Sequence, residues 1–286
     1  MMTGNEFAKK SYEYALGAIK ASSHPPLTED ELRRLGEADL FEFPRLLDEF
    51  GWGKGIEGDL HQRIQGEFEY AVNFIRDVSP DLSLTDLLLF EEDARNLKLF
   101  LKGQLLGRDV TDMASSGGSV APEIWRGSVE AGDYTLISEV MDEELKGIDK
   151  ETDPFVISSR ADRAVFLHTL ELAKKKNAAL YEMLLKYGSA KNRISEARLK
   201  LMGRDVQSVK ALLLPVPYTS IEGDNRDTSE IIAEEKQVRA RAMYDLRSGE
   251  KFAPIAEYFF AKKSEAETLR RLLTQCEIQN KEASGQ

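Results

Sequence analysis

A four-residue phrase is used twice in this chain. Gly107-Arg108-Asp109-Val110 returns 96 residues later as Gly203-Arg204-Asp205-Val206. The match runs upstream at the same offset, pairing Leu88-Leu89 with Leu184-Leu185, Ala94 with Ala190, Asn96 with Asn192 and Leu105 with Leu201. Nine of the 24 pairs from Leu87 to Val110 are identical, too many to treat as coincidence in one short window. Lys102/Arg198 and Leu106/Met202 are conservative pairs. A helical unit repeated in one chain argues for a scaffold before an active site, because each copy buries its apolar face against its neighbours.

Helix signals dominate the rest. A first helix is expected over Phe7 to Ala21, and Thr28-Glu29-Asp30-Glu31 forms a capping box that starts the next. Ile64, Phe68, Ala71, Val72 and Ile75 share one helical face, predicting a helix over Leu60 to Val78 that Pro80 ends. The first repeat helix runs to about Leu106, where Gly107 supplies a left-handed cap. Thr111 to Val120, with Ser115-Ser116-Gly117-Gly118-Ser119 at its centre, is the best candidate hinge. Two short helices over 122 to 147 precede a long one from about Ser159 to Tyr187, which leads into the second repeat. Pro215 and Pro217 stop helix formation. Thr228 to Leu246 is helical and closed by Gly249; a last helix starts near Pro254 and runs to about Gln279, leaving Lys281 to Gln286 as a tail. No stretch alternates like a strand, so the fold class is all-α.

Charge and cysteine content narrow the function. The net charge of −11 argues against nucleic acid as the main partner, since phosphate binding needs a basic footprint. Cys276 stands alone, so no intrachain disulfide forms and a reducing cytosol is the natural compartment. No 18-residue apolar run is present to span a bilayer. The C-terminal region is locally basic through Arg239, Arg241, Arg247, Lys251, Lys262, Lys263, Arg270 and Arg271, which a partner of opposite charge could read.

Few residues suggest chemistry. Gly51 to Gly55 lacks the Gly-x-x-x-x-Gly-Lys-Ser/Thr pattern of a phosphate loop. His24, His61 and His168 have no metal-ligand spacing, and His168 sits in an apolar context that suits packing. Glu91-Glu92-Asp93 reads as a charged helix face. Asn96 and Lys102 lie six apart, roughly 240° round a helix, so one faces a neighbouring helix while the other faces out; Asn192 and Arg198 repeat this. Two readings of the asparagines stand: they satisfy backbone groups at a helix contact, or they belong to a polar wall where a partner docks.

Several of these residues form a family pattern. Asp93-Ala94-Arg95-Asn96-Leu97-Lys98 resembles the Asp-x-x-Asn-Leu-Lys helix of the V-type/A-type ATPase C subunit family, also called the AC39 or d-subunit family. Ala190 to Arg198 resembles its second Asn-containing helix, with Ser189 where an aspartate is usual. Ile157, Asp162-Arg163 and Phe166 resemble its mid-chain pattern, and Pro254 to Arg270 its C-terminal signature. Tyr12 to Ala21 and Leu32 to Leu47 resemble its opening.

The resemblance implies a single domain over 1–286 built of three similar helical bundles, with approximate repeat units 1–110, 111–212 and 213–286 arranged as a pseudo-threefold funnel. It implies a non-catalytic rotor subunit with no cofactor, peripheral on the cytoplasmic face of a membrane. The implied partners are central stalk subunits of the D and F type and the membrane proteolipid ring, in transport of H+ or Na+. Candidate partner-interface residues are Asn96, Lys98, Lys102, Asn192, Arg198, Glu265 and Arg270. A helical scaffold unrelated to ATPases is the alternative.

Overall fold

A computed structural model describes residues 11–205, 210–221, 223, 226–244 and 251–284. The helices are α1 (Tyr12–Lys20), α2 (Glu29–Glu37), α3 (Glu42–Glu49), α4 (Leu60–Val78), α5 (Leu82–Thr85), α6 (Phe90–Leu106), α7 (Pro122–Ala131), α8 (Glu139–Leu145), α9 (Pro154–Lys176), α10 (Ala178–Leu201), α11 (Thr228–Tyr244) and α12 (Ala253–Ser284). Short 3-10 turns punctuate them, and no strand occurs among the described residues. The all-α reading therefore holds. Phe7 to Lys10 of the expected first helix lie outside the described residues, as do Leu246, Arg247 and Gly249.

The chain folds as two compact units, Met1–Thr85 with Lys251–Gln286, and Asp86–Glu250. In the first, α12 lies against α4 and α1, and α2 against α3. Leu35, Phe43, Leu47, Ile64, Val72, Ile75, Ile255 and Leu269 are wholly buried there. The α4 start follows from its sequence: Asp59 accepts from Gln62 N at 2.9 Å, while the Gln62 side chain accepts from Asp59 N. Thr28 and Glu31 form the predicted capping box on α2. The last helix continues past Gln279 to Ser284, so most of the expected tail is helical.

In the second unit, α6 and α10 both lie along α9. The long helix expected across Ser159 to Tyr187 is broken at Asn177, which has extended geometry (φ −153°, ψ 111°). The break is local chemistry. The Asn177 side chain accepts from Leu180 N at 2.8 Å and caps α10, while its N–H still bonds to Ala173 O at 2.9 Å and closes α9. One residue thus ends one helix and starts the next.

Both copies of the repeated phrase end a helix as expected. Gly107 (φ 61°) and Gly203 (φ 65°) are left-handed. Arg108 N bonds Gly103 O at 2.9 Å, and Arg204 N bonds Leu199 O at 3.0 Å, the same cap in each copy.

Candidate functional site

The two asparagines do identical work. Asn96 is fully buried on α6; its Nδ2 donates to Ser115 O at 2.8 Å and its Oδ1 accepts from Ser115 N at 3.0 Å. Asn192, equally buried on α10, donates to Leu214 O at 2.9 Å and accepts from Leu214 N at 2.8 Å. Each amide grips both backbone groups of one residue in the segment that follows its helix. A side-chain amide suits this because it carries donor and acceptor side by side. Of the two readings open from sequence, the satisfied backbone contact is the one observed.

A carboxylate completes each grip. Asp93 accepts from Ser119 N at 2.9 Å, Ser119 Oγ at 2.5 Å and Val120 N at 3.1 Å. In the second copy that position is Ser189, and Glu196 takes over. It accepts from Tyr218 Oη at 2.8 Å, Ser220 Oγ at 3.1 Å and Ile221 N at 2.9 Å. Three residues before and four residues after the asparagine are one turn away on nearly the same helix face, so the carboxylate changes turn without leaving the loop it holds. The expected hinge over Thr111 to Val120 is therefore pinned: Ser115 is buried, and five hydrogen bonds hold Ser115, Ser119 and Val120. Burial pushes the Asp93 carboxyl up to about 6, against the pull of the Ser119 and Val120 donors.

Asp162 of α9 ties the two copies together. Its carboxylate meets Lys98 Nζ at 2.6 Å and Lys191 Nζ at 3.2 Å. Burial alone would raise this carboxyl, but Lys191 and Lys98 hold it below the usual range. One turn along α9, Phe166 packs edge-on to Phe90 and is stacked against Tyr187. Tyr187 Oη donates to Glu91, and these two positions are themselves 96 residues apart. Asp162 meets Lys98 and Lys191 while Phe166, one turn on, meets Phe90 and Tyr187, so α6 and α10 run in the same direction beside α9. Next to Asp162, Arg163 donates to Glu144 Oε1 at 2.9 Å and Leu213 O at 2.8 Å.

The C-terminal residues belong to the other unit. Lys262 is 1% exposed and bridges Glu67 Oε1 at 2.7 Å and Glu265 Oε1 at 2.9 Å. Glu265 also accepts from Trp52 Nε1 and from Leu27 N, the latter at 2.9 Å. His24 Nδ1 lies 2.8 Å from Glu67 Oε2. Arg270 donates to Gln65 Oε1 at 2.7 Å.

The seven residues singled out by sequence thus divide. Asn96, Asn192 and Glu265 are buried and bonded within the chain, which removes them from the outer surface. Lys98 and Arg270 are half-buried and paired. Lys102 is half-buried and Arg198 exposed, in equivalent places on α6 and α10. Lys262 and Lys263, read as part of a basic patch, are buried instead. The Arg239 side chain lies outside what is described. Glu67 escapes the sequence reading and Lys262 enters it only as part of the basic region, although both sit on apolar helical faces where a charge is out of place: Glu67 among Ile64, Phe68 and Ala71, Lys262 among Phe259, Ala266 and Leu269.

Among the described residues, no group of three or more His, Cys, Asp or Glu could hold a metal ion, and no helix is long and apolar enough to cross a membrane. An open depression of about 630 Å³ is lined by Glu139, Val140, Glu143, Glu144, Arg160 and Leu167. A model of the ATP synthase (C/AC39) subunit family matches residues 15–191, which include α6, α9, Asp162 and Asn96. No curated protein matches the chain.

Proposed function

The chain belongs to the ATP synthase (C/AC39) subunit family, and from that premise we propose that it is a non-catalytic rotor subunit of a V-type/A-type ATPase. In this reading it is a socket between the central stalk and the membrane proteolipid ring. It passes torque between them and sits peripherally on the cytoplasmic face. Its three repeat units, 1–110, 111–212 and 213–286, surround an opening that receives D- and F-type stalk subunits.

The observation that supports this reading is the doubled grip of Asn96 and Asn192 on the loops that follow their helices. A part that transmits torque has to resist shear between its helices. Densely packed interiors deform little, and a buried bidentate amide fixes a loop to a helix without slack. Asp162 adds a bond shared by both copies. These features suit a stiff coupling element. Lys102 and Arg198 are the candidate contacts left at the surface, where charged groups give registry to a docked partner.

Affinity isolation of the full chain from its host's membranes tests the proposal. Stalk subunits and the proteolipid ring are the expected companions. Recovery of the chain without either, from membranes that hold an intact ATPase, would overturn it.

A further inference from the structure

Asp93 is a buried carboxyl without a counter-ion. It is 5% exposed and makes no ion pair among the described residues. The charged groups around it are engaged elsewhere. On its own helix, Arg95 pairs with Glu92 at 3.4 Å, Lys98 with Asp162 at 2.6 Å, and Glu91 accepts from Tyr187. On α9, which packs along α6, Asp162 is taken up by two lysines and Arg163 by Glu144 and Leu213 O. From α7 the uncharged Trp125 indole lies against Asp93. Gly118 packs directly on the carboxyl, since a Cβ there would lie 2.6 Å from Oδ1. A buried charge with no opposite charge is costly, and such a group takes up a proton instead.

The hydrogen bonds suit the protonated form as well as the ionised one. Oδ1 accepts both backbone N–H groups, from Ser119 at 2.9 Å and Val120 at 3.1 Å. Oδ2 meets the Ser119 hydroxyl at 2.5 Å. A hydroxyl can accept or donate. With a proton on Oδ2, the carboxyl donates to Ser119 Oγ and keeps all three contacts. When that proton leaves for solvent, Ser119 Oγ donates instead and a full negative charge stays in the interior. Protonation therefore sacrifices no hydrogen bond, while ionisation adds an unpaired buried charge.

The connector from α6 to α7 has a second hold of a different kind. Asn96 bonds Ser115 at 2.8 and 3.0 Å through a neutral amide, which does not titrate. Gly117 and Gly118 lie between the two holds. We propose that the Asp93 contact is a proton-operated catch on this connector: it grips Ser119 and Val120 while the carboxyl is protonated and slackens on ionisation, leaving Asn96 as the remaining hold. The direction follows from linkage. Burial raises the docked carboxyl to about 6, from the 3.8 of an unperturbed aspartate. The added grip is complete below the lower value and is lost as pH rises through the upper one. The catch belongs to the chain itself and stands whether or not the chain is a rotor subunit.

Amide hydrogen exchange in the full chain tests this, because Ser119 and Val120 donate the amides concerned. Protection, taken relative to the free-peptide rate at each pH, should fall about tenfold at both amides between pH 5 and pH 7. The Ser115 amide, held by Asn96, should not change. Asp93→Asn offers one acceptor and one donor at any pH, so it copies the protonated carboxyl. Its Ser119 and Val120 amides should keep constant protection, about tenfold above wild type at pH 7. The NMR shift of the wild-type Asp93 carboxyl carbon needs no variant, and should move over the same pH interval as the protection. Protection that stays constant in wild type, rises with pH, or falls equally in Asp93→Asn overturns the proposal. So does a carboxyl that ionises without loosening either amide.

Discussion

Replacing Asn96 by alanine should destabilise the chain by about 2–5 kcal/mol. Two hydrogen bonds to Ser115 disappear, at 2.8 and 3.0 Å. Ser115 is 2% exposed, so water cannot replace them. A lost hydrogen bond removes about 1 kcal/mol net, and a buried backbone group left without a partner adds about 1–3 kcal/mol. Asn192→Ala opens the same two bonds to Leu214, itself 6% exposed, and should lose a similar amount. Asn96→Asp should be at least as damaging, because an ionised carboxylate cannot donate to Ser115 O and would be buried. Urea unfolding of the purified chain, followed by circular dichroism, measures all three. A loss under about 1 kcal/mol for Asn96→Ala, or a tolerated Asn96→Asp, would refute the account of the asparagines as loop grips.

Further expectations follow from neighbouring groups. Because the folded carboxyl of Asp93 titrates near 6, above the 3.8 of an unperturbed aspartate, its contribution is fully present below that lower value and is lost as pH rises through about 6; unfolding of wild type against Asp93→Asn from pH 4 to 7 should show a difference that falls by about 3 kcal/mol. A flat difference would discount the buried charge. Gly118→Ala puts a Cβ 2.6 Å from Asp93 Oδ1 and should cost about 1–3 kcal/mol, read as a lower melting temperature. Lys262→Met strands Glu67 and Glu265 together in the interior and should cost about 3–5 kcal/mol in chemical denaturation. Charge reversal at Lys102 or Arg198 should leave helicity intact and weaken assembly with partners, whereas Lys98→Glu should lower stability because it sets a second carboxylate against Asp162.

Much of the helical layout was legible because it rests on local chemistry. Thr28 and Glu31 are a cap signal in any context, and Gly107 and Gly203 end helices for conformational reasons. The repeat also pointed to Asn96 and Asn192 directly. The break at Asn177 was hidden, because the apolar pattern continues through it while a single side chain diverts the backbone. The Thr111 to Val120 segment reads as a hinge by composition, and only partners 19 to 27 positions away pin it. Glu196 escaped for a related reason. A carboxylate that shifts from one turn to another leaves no match at the fixed offset, though its task in space is conserved within the chain. Asp162 looks like any helix-face acid until α6 and α10 each bring a lysine to it.

That shared acid has an evolutionary corollary. Duplicated segments ordinarily drift apart, each free to lose what its twin retains. Here one counter-ion answers to both descendants, so a neutral swap at either lysine changes the setting of the other. Lys98 and Lys191 do not occupy matching places in the duplication; each helix supplies its cation from a different turn. The siblings have diverged in sequence yet stay bound to a common creditor, and selection on one is felt by both.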